Sequence, residues 1–215
     1  MEYSNLDLFG VDTPNTERQT VIPAEISSGG SRKANDEARG RSYLTREQVY
    51  QLVKAARKNR HGLRDSTLIL LAYQHGLRAS EAVSLQWQQI DFDQDSVAVK
   101  RIKGSRSGTH PLQGDAKRAL RKLQRETGRT RGFIFETERG GPMTVGGFQR
   151  MFNRLSEKSL GVVWNTHALR HACGYHLIST GNDIRFIQQY LGHANIQNTV
   201  VYTAMSAAAF DGLAM

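Results

Sequence analysis

Cysteine is almost missing from this sequence: Cys173 stands alone among 215 residues. An internal disulfide is therefore excluded, and the usage fits a reducing compartment. Long apolar runs are also missing, since no stretch approaches the roughly 18 to 20 apolar residues that a membrane span needs. The opening residues, MEYSNLDLFGVDTPNTE, have neither a basic start nor an apolar run, which argues against a secretory signal. These absences predict a cytoplasmic protein with no membrane partner. Apolar content of 39% and charged content of 23% are ordinary for a soluble globular chain of one core.

What is abundant is positive charge, and it is unevenly placed. The chain carries 29 Lys+Arg and 20 Asp+Glu, a net +9. Residues 1–42 hold 5 basic and 7 acidic side chains, leaving 24 and 13, a net +11, for residues 43–215. A basic folded part suits a polyanion such as nucleic acid. Residues 1–42 contain SSGGSRKANDEARGRS and few large apolar side chains. They read as a flexible polar tail that buries too little surface to offset ordering.

The folded domain is expected over 43–215. Thr45-Arg46-Glu47-Gln48 has the form of a capping box, followed by the apolar positions Leu52, Val53 and Ala56. A buried helix over 63–75 should close at Gly76 in a left-handed conformation. Ser80 is expected to cap a third helix running from Glu81 to about Gln88. Residues 96–102 alternate as a strand does, and 109–112 can return beside them across the turn 103–108. Further helices are expected over 115–127, 144–158, 166–179, 184–190 and 196–202. The predicted class is mainly α with a small antiparallel β-sheet (α+β).

Five pieces of this chain bear on chemistry, and each alone is a common accident. Arg78 precedes a helix N-terminus, where free N–H groups and a guanidinium together suit phosphate oxygens. Lys103 sits at the predicted turn, able to hand a proton to a leaving oxygen, with Lys100, Arg101 and Arg106 nearby as phosphate contacts. His167, Arg170 and His171 share one helix face at i, i+3 and i+4. The zinc-protease version of that spacing needs Glu directly after the first His, where this chain has Ala168, so no metal site is expected. His193 follows Gly192, expected to close a short helix, and Tyr202 comes nine residues later. A phenol is a poor nucleophile at its ordinary pKa near 10 and needs cations to stabilise the developing charge. Two arginines, a lysine and several histidines are such a set.

In order and approximate spacing, Arg78, Lys103, His167, Arg170, His193 and Tyr202 resemble the Arg–Lys–His–Arg–His–Tyr set of the tyrosine recombinase (phage integrase) family. The resemblance covers essentially all of 43–215. It is strongest toward the small fimbrial phase-variation DNA invertases over Asn165–Tyr202, including Leu169-Arg170-His171, Tyr190-Leu191-Gly192-His193 and Val201-Tyr202-Thr203-Ala204. It implies the integrase catalytic-domain fold and a recombinase acting through a 3′-phosphotyrosine, by inversion or by integration and excision. Tyr202 would attack the scissile phosphate while Arg78 and Arg170 clamp its oxygens. Lys103 would protonate the departing 5′-oxygen, His167 would assist Tyr202, and His193 would bond the phosphate. His171 and Glu81 would support this array. No cofactor is implied. Double-stranded DNA, a homotetramer on two DNA sites and accessory DNA-bending proteins are the implied partners. Larger family members carry a separate helical domain before the catalytic one, for which 42 residues are too few. Ala207, Ala208, Phe210 and Leu213 are candidates to dock on a neighbouring protomer. Two other functions use the same fold: a DNA-binding regulator without catalysis, and a relaxing topoisomerase of the type IB kind.

The charge distribution carries its own test. Each phosphate neutralised by a Lys or Arg contributes roughly −0.9 to the slope of log affinity against log salt. DNA binding should therefore weaken steeply between low and moderate salt, as measured by fluorescence anisotropy; a flat response contradicts the basic-face reading.

Overall fold

The computed structural model describes residues 43–101, 107–112 and 114–204. Residues 1–42, expected to be a tail, Lys103, Arg106 and the candidates Ala207, Ala208, Phe210 and Leu213 lie outside the described residues. The helices are α1 (Arg46–Ala56), α2 (Gly62–Gln74), α3 (Ala79–Val83), α4 (Gly114–Thr127), α5 (Val145–Leu160), α6 (His167–Ser179), α7 (Ile184–Leu191) and α8 (Gln197–Ala204). The strands β1 (Ile90–Asp91), β2 (Ser96–Val99) and β3 (Gly108–Pro111) form one antiparallel sheet in the order β1-β2-β3.

Local chemistry accounts for most boundaries. The capping box at Thr45 is present: Gln48 N–H donates to Thr45 Oγ1 at 3.3 Å, and Thr45 N–H donates to Gln48 Oε1 at 3.0 Å. Gly76 takes φ +55° just after α2, and Gly192 takes φ +67° after α7, a region in which a Cβ is strained. α2 is buried on nearly every side and runs through the centre, with Leu68, Ile69, Leu70, Leu71, Ala72 and Tyr73 as its apolar stretch. A fully buried leucine or isoleucine contributes about 1.5–3 kcal/mol of transfer free energy, so this helix is the spine of the core. Phe148 and Phe152, one turn apart on α5, and Leu169, Ala172 and Cys173 on α6 complete it. In the sheet, Val97 and Val99 point inward beside His110, with Val97 opposite His110.

Two expectations need correction. Ser80 does not cap α3; Arg78 holds the cap position, and Glu81 at N3 accepts the Arg78 N–H at 2.9 Å. Nor does α3 reach Gln88. Leu85 O accepts from Ile134 N–H at 2.9 Å and Trp87 N–H donates to Gly132 O at 3.0 Å, so the chain is drawn into an extended pairing with residues 132–134. A short 3₁₀ turn, Trp87–Gln89, and the two-residue β1 follow, neither of them foreseen. Among the described residues no helix is long and apolar enough to cross a membrane.

The core also holds a histidine pair. His75 and His110 lie with ring centroids 5.6 Å apart, and His110 stacks on Tyr190 at 4.0 Å. Burial, with the neighbouring Arg101 charge and, for His75, the His110 ring, pushes both down to about 3. An unfolded chain takes up these protons below about 6.5, whereas the fold refuses them until about 3. Stability is therefore fully present above that ordinary value and is lost as pH falls toward 3. Thermal midpoints should drop steadily from neutral pH to pH 4, and His110→Gln should flatten the decline; an unchanged slope refutes the pair as its source.

Candidate active site

The site is built around the turn that ends α2. Gly76 leaves the helix in the left-handed region, and its carbonyl faces inward rather than along α2. A Cβ at this position would meet Leu191 Cδ2 at 2.3 Å, so the close approach of α7 also demands glycine here. Two guanidiniums donate to the Gly76 carbonyl: Arg170 Nη1 at 2.6 Å and Arg101 Nη1 at 3.2 Å. Arg170 Nη2 donates to Leu191 O at 2.7 Å. The side chain thus clasps the ends of α2 and α7, and it is 1% exposed. Burial, and then the charges of Arg101 and Arg78, lower its pKa to about 10, which leaves it protonated at neutral pH.

Arg78 extends from the cap of α3 and is half-buried. Its Nη1 donates to Glu81 Oε1 at 2.7 Å. Burial pushes the Glu81 carboxyl upward, but the Arg78 N–H and the charges of Arg101 and Arg78 win, so it is held below the usual range and is ionised. Its other oxygen accepts from Arg101 Nη1 at 2.7 Å.

The nucleophile candidate enters from α8. Tyr202 is 2% exposed, and its hydroxyl lies 3.2 Å from His171 Nδ1. The ring rests on Gly174, where a Cβ would come within 2.5 Å of Tyr202 Cζ. His193 lies parallel to it, with centroids 6.5 Å apart, and its Nδ1 is 2.9 Å from Thr199 Oγ1. Burial raises Tyr202 to about 12, outweighing the opposing pull of Arg170. The site therefore holds a phenol, not a phenolate. His171 is lowered to about 4 by burial, by His167 and by Arg170; His193 is lowered to about 4 by burial and by Arg170 and Arg78. His167 moves down for the same reasons, burial first. Neutral imidazoles, able to accept a proton, surround the hydroxyl.

Arg78, His167, Arg170, His171, His193, Tyr202 and Glu81 come from four helices and their caps, and short contacts link most of them. Two differ from expectation. The imidazole touching Tyr202 is His171; His167 is exposed and packs edge-on against His171 at 4.5 Å. Arg101, expected to meet phosphate, is 9% exposed and turned into the protein, so it is not a surface contact. Lys100 beside it is exposed, as a phosphate contact would be. Sequence reasoning missed Gly174, Gly76 O, Leu191 O and Thr199. Gly174 was the most accessible to it, because it continues the His167–Arg170–His171 face at i+4 from Arg170, where a missing side chain marks a seat for a ring. The carbonyls gave no signal, since they depend on which turns meet in space.

Comparison with known proteins agrees with this geometry. Residues 42–208 match the model of the phage integrase family. The chain is 39% identical over 182 residues to the type 1 fimbriae regulatory protein FimE of Escherichia coli K12, covering 80% of this chain and 90% of that protein. It is 33% identical over 155 residues to the tyrosine recombinase XerC of Bacillus subtilis, covering 67% and 50% of the two chains. The fold matches the crystal structure of XerA recombinase with a TM-score of 0.69 at 22% identity, over 80% of this chain and 66% of that one. The chain belongs to the phage integrase family and is a tyrosine-type site-specific DNA recombinase.

Proposed function

We propose that this chain cuts and rejoins duplex DNA with Tyr202 as nucleophile, and that its natural event is DNA inversion. The observation that carries the first part is the Tyr202 hydroxyl set 3.2 Å from His171 Nδ1, beside Arg170 and His193. Fimbrial relatives of similar length support the second. In the cleavage step the Tyr202 oxygen bonds to phosphorus as its proton passes to neutral His171. The bond from phosphorus to the 5′-oxygen breaks, and that oxygen takes a proton, from Lys103 on the family pattern. Arg78 and Arg170 offset the charge gathering on the non-bridging oxygens, with His193 as a further donor. Religation is the reverse, and because the phosphotyrosine keeps the bond energy, no nucleotide is consumed. The working unit is a homotetramer on two DNA sites, assisted by accessory DNA-bending proteins, and Lys100 and Arg106 meet flanking phosphates.

A nicked substrate that loses a short strand after cleavage traps the covalent step. The wild-type chain should give a protein–DNA adduct on denaturing gels, and Tyr202→Phe should give none while still binding DNA. A wild-type chain that binds without forming an adduct favours a regulator of the same fold. Site-independent plasmid relaxation favours a topoisomerase.

The histidine environment predicts a pH profile. His171 accepts the proton only when neutral, and its pKa near 4 makes it so through the whole neutral range. At subsaturating DNA the cleavage rate constant should climb with pH through about 4 and stay level above about 6, since such profiles report the free enzyme's groups. An ascending limb centred near 6.5 would mean that an ordinary exposed imidazole is the base.

A further inference from the structure

We infer that Arg101 is a positioning residue for the recombination reaction, holding Glu81 so that Arg78 keeps its charge free for phosphate. This rests on the reading of Arg78 and Arg170 as the phosphate clamp. Arg101 makes four side-chain bonds, which reach three parts of the site. Nη1 reaches Glu81 Oε2 at 2.7 Å and Gly76 O at 3.2 Å; Nη2 reaches His75 O at 3.1 Å and Tyr190 O at 2.6 Å. Its backbone N–H donates to Ser107 Oγ at 3.0 Å, tying together the two ends of the segment that contains Lys103. One side chain therefore joins the end of β2, the turn after α2 and the end of α7.

The charge logic is specific. The Glu81 side chain is 1% exposed and ionised, and its two oxygens are divided between two guanidiniums. Arg101, itself buried, offsets that carboxylate from below. Arg78, with its side chain 34% exposed, then faces outward with charge in excess. Were Arg101 lost, the buried carboxylate would have Arg78 as its sole remaining partner among these groups. Arg78, already 2.7 Å from Glu81 Oε1, would then neutralise that carboxylate alone, and a guanidinium whose charge is spent on a buried anion is a weak clamp for a second one. Lysine cannot replace it: a single ammonium has three donors in a compact head, whereas the guanidinium spans acceptors on three elements.

The test compares wild type, Arg101→Lys, Arg101→Met, Glu81→Gln and the double variant Arg101→Met/Glu81→Gln, all as the full chain on the nicked substrate. Adduct formation at saturating DNA, DNA affinity by anisotropy and thermal midpoint are read together. Arg101→Met should slow adduct formation by about 100-fold, the scale of a misplaced clamp. Its DNA affinity should stay within about threefold of wild type, because a buried side chain neutralises no phosphate. The double variant should be about tenfold faster than Arg101→Met, since removing the uncompensated buried charge relieves the cause. Arg101→Lys should fall between, and it carries the test if the methionine variant does not fold. Unchanged rates overturn the proposal. A matching loss of affinity and rate returns Arg101 to the surface role that its sequence position suggests. A double variant slower than either single one, with midpoints falling in step, reduces it to general stability. If wild type binds but forms no adduct, the reading of the site fails first, and this proposal with it.

Discussion

Two positive charges share one carbonyl, and the site depends on that constraint. Gly76 O accepts from both Arg170 and Arg101. A buried guanidinium is tolerable only when its donors are used and its charge is balanced. Here the donors are met by backbone carbonyls at the ends of α2 and α7, and the balance comes from Glu81. Such carbonyls are available only where a helix stops, because inside a helix they are already bonded. The left-handed glycine at 76 and the closing turn at 192 are thus more than punctuation. They expose the oxygens that fix the arginines. A side chain at 76 would press on Leu191 and Cys173 of the core and on the turn whose oxygen both arginines share.

How much of this could be read from the sequence follows from whether each feature is local. The capping box at Thr45, the closing glycines at 76 and 192, the apolar helix α2 and the stripe of His167, Arg170 and His171 are written within a few residues, and those expectations match the structure. The early end of α3 is not, because it arises from pairing with residues about 45 positions away, near Phe133, and the two-residue β1, paired with β2, is too short to show an alternation. Arg101 is the instructive case. Beside Lys100 and next to a turn, a basic residue reads as a surface contact, and only the convergence of three distant carbonyls and Glu81 reveals that it turns inward. The same holds for His171. Spacing placed it on the face of Arg170, but which of two histidines meets Tyr202 depends on how α8 lies across α6.

That placement of α8 has a consequence for the chemistry. Tyr202 and Arg170 are each nearly sealed from solvent, at 2% and 1% exposure. Burial has opposite effects on the two. It leaves the guanidinium charged, since about 10 is still far above neutral pH, but it keeps the hydroxyl protonated by lifting it to about 12. The pocket as it stands therefore protects an unreactive phenol against a neutral imidazole. α8 is seated by the Tyr202 ring, which rests on Gly174, and by the buried Thr199 with its contact to His193. On the proposed mechanism, Arg78 and Arg170 meet the charge of the phosphate that Tyr202 attacks. On that reading one buried set of residues serves both the nucleophile and its substrate.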